Sequence, residues 1–280
     1  MFTHRHIVIY TFQHLYTFTY RTDIGDIHTM RVITLINQKG GAGKSTIARG
    51  LLSAAEARGI KAGFLDTDKT ENLVQWAGRA AAADNWAEGI AGFKTLNPEE
   101  ARDIVLDLDE EGDIDLFIVD TPGDASELHD LLATVSDLVL CPIQPSTSDL
   151  STAIGTANWM YRMRARVDDP SQLPAFRAAI NRVGSKPTKT EARVMLYARA
   201  NKLVGDGAAP PEEKLRILPR YIQQRDAYRR MDEEGLLGRM ISSDQRRKEQ
   251  FFKNPKHLRD ALAEMDEFLS LCLAIVEEEK

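Results

Sequence analysis

Residues Lys39-Gly40-Gly41-Ala42-Gly43-Lys44-Ser45-Thr46 have the types and the spacing to hold a chain of phosphates. Glycines let successive backbone N–H groups turn inward toward anionic oxygens. A helix starting behind them aims its positive end at the same point. Lys44 would reach the β- and γ-phosphates, and the Ser45 hydroxyl would sit on Mg2+. The general phosphate-loop pattern also asks for glycine at position 38, where this chain has Gln38. A second lysine, Lys39, stands beside it.

Carboxylates suited to the same chemistry lie further along. Asp120 closes the apolar run Leu116-Phe117-Ile118-Val119 and precedes Thr121-Pro122-Gly123. An acid at that place can hold Mg2+ through water beside the Ser45 hydroxyl. Asp66 and Asp68 end another strand-like run, at the sheet edge where open α/β folds bind ligands.

The elements that must position these groups follow from local pattern. Val32–Ile36 reads as a strand, and Ile47, Leu51, Leu52 and Ala55 give the next segment one apolar helical face. That helix should stop near Arg58, with Gly59 as its left-handed cap. Asn97-Pro98-Glu99-Glu100 should start another: Asn97 caps, Pro98 suits the first turn, and the acids favour the dipole. Residues 61–66, 116–120, 138–142, 176–180 and 215–218 read as strands, several of them near-continuously apolar, as in a parallel sheet covered on both faces. Helical segments between them predict an α/β fold, a doubly wound and mostly parallel sheet with helices on both faces. From His257 to Glu279, apolar residues recur at helical spacing, which predicts a helix packed on that sheet.

Gln38–Thr46 resembles the deviant phosphate loop of the ParA/MinD family of ATPases, over about residues 30–280. The resemblance implies ATP and Mg2+ as cofactors and an ATP-dependent homodimer in which Lys39 crosses to the partner's nucleotide. It carries Lys39, Lys44 and Asp68 over as catalytic residues, with Asp68 orienting the attacking water. It places Ser45 and Asp120 at the metal. It gives Asn181, Pro219 and Arg220 to the adenine, beside the loop residues Gly40, Gly41, Ala42, Gly43, Lys44, Ser45 and Thr46. Partition members commonly have Asp-Pro-Gln after the Asp68 position; here Lys69-Thr70-Glu71-Asn72 follows, so the switch around it departs from the pattern.

Composition narrows the partners. The chain has 280 residues and a formal net charge of −6, which announces no polyanion. Charge is uneven, though: residues 216–259 hold twelve basic and six acidic residues. Within that stretch Arg225, Arg229, Arg230, Arg246, Arg247 and Lys248 are candidate DNA contacts. Non-specific binding needs only clustered cations. Two distant cysteines, Cys141 and Cys272, argue against a disulfide framework or a cysteine zinc site and suit a reducing compartment. The tail ends Glu277-Glu278-Glu279-Lys280, and acids disfavour an anionic lipid surface, so no membrane partner is expected.

Residues 1–29 stand apart, with four of the six histidines and no lysine. They read as an N-terminal extension, disordered or preceding the working start at Met30, ahead of a single domain over 30–280. The expected function is plasmid or chromosome partition: a cytoplasmic, nucleoid-associated switch whose hydrolysis is stimulated by a ParB-like activator or centromere-binding protein. Two alternatives share the fold: a spatial regulator of division or organelle placement, and a dethiobiotin-synthetase-like ligase. Lys39 argues against the ligase, which needs no lysine acting in trans.

Overall fold

The computed structural model describes residues 3–10, 15–22, 30–123, 127–199, 215–248 and 255–278. Strands β1 (Thr3–Tyr10) and β2 (Leu15–Thr22) pair antiparallel, apart from the main sheet. The rest alternates strictly. β3 (Arg31–Leu35) leads to α1 (Lys44–Ala57), and β4 (Ala62–Asp66) to α2 (Asn72–Ala82). β5 (Ala91–Lys94) leads to α3 (Pro98–Glu111), and β6 (Leu116–Asp120) to α4 (Glu127–Thr134). β7 (Leu138–Ile143) leads to α5 (Thr147–Arg164), and β8 (Ala175–Ile180) to α6 (Lys189–Arg199). Three more helices follow: α7 (Asp226–Glu234), α8 (Leu237–Lys248) and α9 (Lys256–Glu278).

The main sheet has six strands in the order β5-β4-β6-β3-β7-β8, and every pairing in it is parallel. A parallel sheet sends all strand C-termini to one edge, so its loops meet there. Register is tight at that edge: Asp120 pairs with Leu35 on one side and Asp66 on the other. The central strands are buried along their whole length, which explains their unbroken apolar runs.

Local signals perform as expected at several points. Gly59 has φ +70° behind α1. The Asn97 side chain accepts from the Glu100 N–H at 2.9 Å, capping α3. α9 packs along α1 and buries Leu258, Met265, Phe268, Leu269, Cys272 and Val276. Two expectations need correction. β5 was not expected, because Ala91-Gly92-Phe93-Lys94 is short and only half-buried. Residues 215–218 form an isolated parallel bridge, Ile217 to Ala178, in place of a strand. The chain bends at Pro219-Arg220, so the next ladder bond comes from Ile222, whose N–H donates to the Ile180 carbonyl at 2.9 Å. The expected surface loop over 204–211 lies outside the described residues.

α9 closes the sheet face that carries α1, so its anchor should matter. Phe268→Ala leaves a void where a ring is 1% exposed. We expect a loss of about 3–5 kcal/mol in urea unfolding; a loss under about 1 kcal/mol would mean α9 is not part of the core.

Candidate functional site

The loop between β3 and α1 has the backbone a phosphate cradle requires. Gly41 and Gly43 adopt φ of +74° and +103°, which side chains other than glycine rarely accept. At Gly43 a Cβ would also lie 2.7 Å from Asn181 Oδ1, so glycine is required twice over. α1 begins at Lys44 with its first N–H groups facing the loop. Lys44 is buried and donates from Nζ to the Asn37 carbonyl at 3.2 Å. The Asp-Thr-Pro-Gly turn closes over the loop: Thr121 Oγ1 donates to the Leu35 carbonyl at 2.7 Å, and Gly123 sits against Gly40.

Asp120 is 1% exposed, and neither carboxyl oxygen has a hydrogen-bond partner among the described residues. Burial drives its pKa up to about 7, against the pull of the Ser45 hydroxyl, Lys44 and Arg49. A buried acid without a partner is costly unless something else neutralises it. With a serine hydroxyl and a phosphate cradle beside it, this donor set fits a hydrated hard cation such as Mg2+. Asp66 is different. Its carboxylate accepts from the N–H groups of Leu73 at 2.7 Å, Val74 at 3.2 Å and Asp68 at 3.1 Å, so it anchors the start of α2. Asp68 is half-buried, and its Oδ1 accepts from the Thr70 N–H at 2.9 Å and hydroxyl at 2.8 Å. Thr70 therefore shapes this switch where the partition pattern has another sequence.

Lys39 lies in front of the loop and pairs within its own chain. Its ammonium donates to the Asp149 carboxylate and to Ser148 Oγ at 3.2 Å, at the start of α5. Asp149 is buried; burial alone would raise its pKa, but bonds from Lys39, the Gln144 N–H and Ser146 bring it below the usual value. Asp149 gave no sequence signal, since it meets Lys39 across 110 positions.

Asn181, Pro219 and Arg220 are divided between two neighbouring cavities. Asn181 Nδ2 donates to the Ala42 carbonyl at 2.8 Å and to the Ile143 carbonyl at 3.2 Å. Its amide thus buckles the loop, and these donors are not free for a base. A cavity of about 360 Å³ beside α1 is lined by Thr46, Asn181, Arg182, Gln224, Tyr228 and Asp232, among others. Pro219 and Arg220 line a neighbouring cavity against α9 instead, and Arg220 faces Glu267 at 3.5 Å. Ile222, Gln223 and Arg225 border both cavities.

Of the candidate DNA contacts, Arg225 pairs with Glu264 at 3.2 Å, and Arg230 with Glu234 at 2.7 Å and Asp244 at 3.1 Å. Those carboxylates raise both arginines' pKa values. Arg229 is the open one, its side chain 74% exposed and 3.7 Å from Asp226. The side chains of Arg246, Arg247 and Lys248 lie outside the described residues. No described helix is long and apolar enough to cross a membrane.

The family model described as VirC1 protein matches residues 30–278. The chain belongs to the VirC1 family. Protein virC1 of Rhizobium radiobacter is 23% identical to this VirC1-family chain over 210 residues, 74% of this chain and 83% of that protein. Protein ParA of the same organism is 30% identical over 120 residues, 43% of this chain and 51% of that protein. Among solved structures, the septum site-determining protein MinD of Pyrococcus horikoshii, in complex with Mg-ADP, superposes with a TM-score of 0.52 at 17% identity. That match covers 85% of this chain and 97% of MinD. The VirC1-family chain is thus a ParA/MinD-type P-loop protein in fold and kinship.

Asp120 generates a pH prediction. Its folded pKa of about 7 stands above the ordinary carboxylate value, so between roughly pH 4 and 7 the folded state keeps a proton the unfolded chain has released. Stability contributed by Asp120 therefore falls as pH rises through that window, and the full cost remains above it. In metal-free protein, Asp120→Asn should raise the melting temperature at pH 8 by on the order of 5 °C, with the gain shrinking toward pH 5. Equal melting of both proteins at pH 8 would contradict a buried, partnerless carboxyl.

Proposed function

We propose that this chain is an ATP-driven dimerising switch that partitions or positions DNA cargo, with hydrolysis stimulated by a partner protein. The observation that carries it is the buried Asp120 carboxylate, without a hydrogen-bond partner among the described residues, beside Ser45 at a glycine cradle fronted by Lys39. Kinship with ParA supports partition, and the Mg-ADP bound by MinD supports the cofactor reading.

In this reading the cradle N–H groups and Lys44 bind the phosphates, and Ser45 and Asp120 hold Mg2+. A Mg2+ held by Ser45 and Asp120 would supply charge neutralisation to the phosphates. Asp68 orients the attacking water. Lys39 leaves Asp149 and reaches the nucleotide of the partner subunit. A cation supplied in trans to a developing phosphoryl charge is worth about 10³–10⁵ in rate in comparable enzymes. Monomers with Lys39 on Asp149 are then slow, and the dimer is the hydrolysing form. DNA retention rests on exposed cations such as Arg229, because Arg225 and Arg230 are already neutralised by carboxylates. That neutralisation also favours the second reading, a positioning switch that recognises a protein-bound cargo in place of bulk DNA.

Lys39→Ala should bind ATP with nearly unchanged affinity yet stay monomeric by light scattering with ATP. Wild type should dimerise and hold a random DNA duplex with ATP alone, and that retention should weaken steeply with salt. An ATP-dependent dimer in Lys39→Ala would refute the trans role. Absence of DNA retention in every nucleotide state would move the assignment to the positioning switch.

A further inference from the structure

Arg49 is a buried charge that the phosphate chemistry does not use. It lies on α1, with its side chain 6% exposed. Nη1 donates to the Asp232 carboxylate at 2.7 Å, and Nη2 to the Asn72 carbonyl at 3.0 Å. The guanidinium carbon stands 5.8 Å from the Trp76 ring centroid. Nε has no partner among the described residues. Burying a guanidinium there costs desolvation that an apolar residue of similar length would avoid, so packing alone does not account for it.

Asp232 is the hub of this arrangement. Its Oδ1 also accepts from Arg79 at 3.0 Å, and its carbonyl accepts from the same arginine at 3.0 Å. Asn72 opens α2 and Arg79 lies in its last turn, so two arginines hang both ends of α2 on Asp232. Between them, Trp76 Nε1 donates to the Met231 carbonyl at 2.7 Å. The first turn of α2 is tied in turn to Asp66, whose Oδ1 accepts the Asp68 N–H at 3.1 Å. On its other side Asp232 lines the cavity of about 360 Å³ that also includes Thr46 and Asn181.

We propose that Arg49 is a positioning residue that couples the nucleotide base in this cavity to the placement of Asp68. The inference rests on the nucleotide-switch reading and deepens it. A base entering the cavity meets the Asp232 carboxylate, which can accept from an exocyclic amine. Asp232 cannot move without Arg49 and Arg79, and these carry α2 and the Asp66–Asp68 turn. The phosphates alone would not engage this linkage. Couplings of this kind between sites amount to roughly 5–150-fold.

The test is hydrogen exchange of peptides covering residues 66–76 in wild type, Arg49→Met and Asp232→Asn. Each is measured with Mg·ATP and with Mg·tripolyphosphate, which has no base. In wild type, ATP should protect the segment more than tripolyphosphate does. In both variants that difference should vanish, while kcat falls about tenfold and KM for ATP changes less than about threefold. The double variant should be no worse than either single one. Arg49→Lys, which keeps the charge without the fork, should recover only part of the effect. Base-dependent protection that persists in both variants, or effects that add, would overturn the role of Arg49. If Arg49→Met fails to fold, Asp232→Asn, with its half-exposed side chain, decides alone. Wild type that binds neither ligand would overturn the nucleotide reading and this inference together.

Discussion

Everything at the functional edge depends on keeping the Asp120 carboxylate out of water, with no close hydrogen-bond partner among the described residues. The main sheet makes this possible. Because its strands are all parallel, Leu35, Asp66 and Asp120 end side by side, under a loop that the Thr121 hydroxyl draws down onto β3. The apolar strands then keep solvent away from the carboxyl. Protonation offsets the cost of that arrangement below about pH 7, and on the proposed reading a bound cation would offset it above. Asp66 beside it shows the contrast: three backbone N–H groups already satisfy it, and it serves as an anchor for α2.

Around this centre, charged side chains are paired within the chain more thoroughly than composition suggests. Lys39 rests on Asp149, Arg225 on Glu264, Arg230 on Glu234 and Asp244, and Arg49 on Asp232. Among the described residues of the basic stretch 216–259, Arg225 and Arg230 are therefore already held by carboxylates. A switch benefits from such pairs, because each is a defined alternative partner that a ligand or second subunit has to displace. Lys39 is the clearest case: its half-exposed side chain is held by a buried acid.

How much of this could be read from the chain depended on whether the signal was local. The cradle, the Gly59 stop, the Asn97 cap and the apolar stripe of α9 are all short-range patterns, and the structure has each where it was expected. β5 was missed because four half-buried residues with a central glycine carry too little periodicity. Residues 215–218 looked like a strand by composition, but the bend at Pro219-Arg220 breaks the pairing into isolated bridges at Ile217 and Gln223. At the candidate site, the glycine loop and Asp120 carried local signals, and the structure brings them to one edge of the sheet. Asp149 and Asp232 were not legible, because each meets its lysine or arginine across 110 and 183 positions, and no spacing rule spans that distance. The main-chain partners of Asn181 were not legible either: its amide donates to the Ala42 and Ile143 carbonyls, far off in sequence.

Calorimetric titration of ATP into the protein, with Mg2+ and with the metal chelated, tests the central claim most directly. If Asp120 and Ser45 await a cation under a phosphate cradle, ATP should bind one per chain with Mg2+ and at least about tenfold more weakly without it. Binding that is absent, or equally strong when the metal is chelated, would contradict the assignment of this edge as a Mg·ATP site.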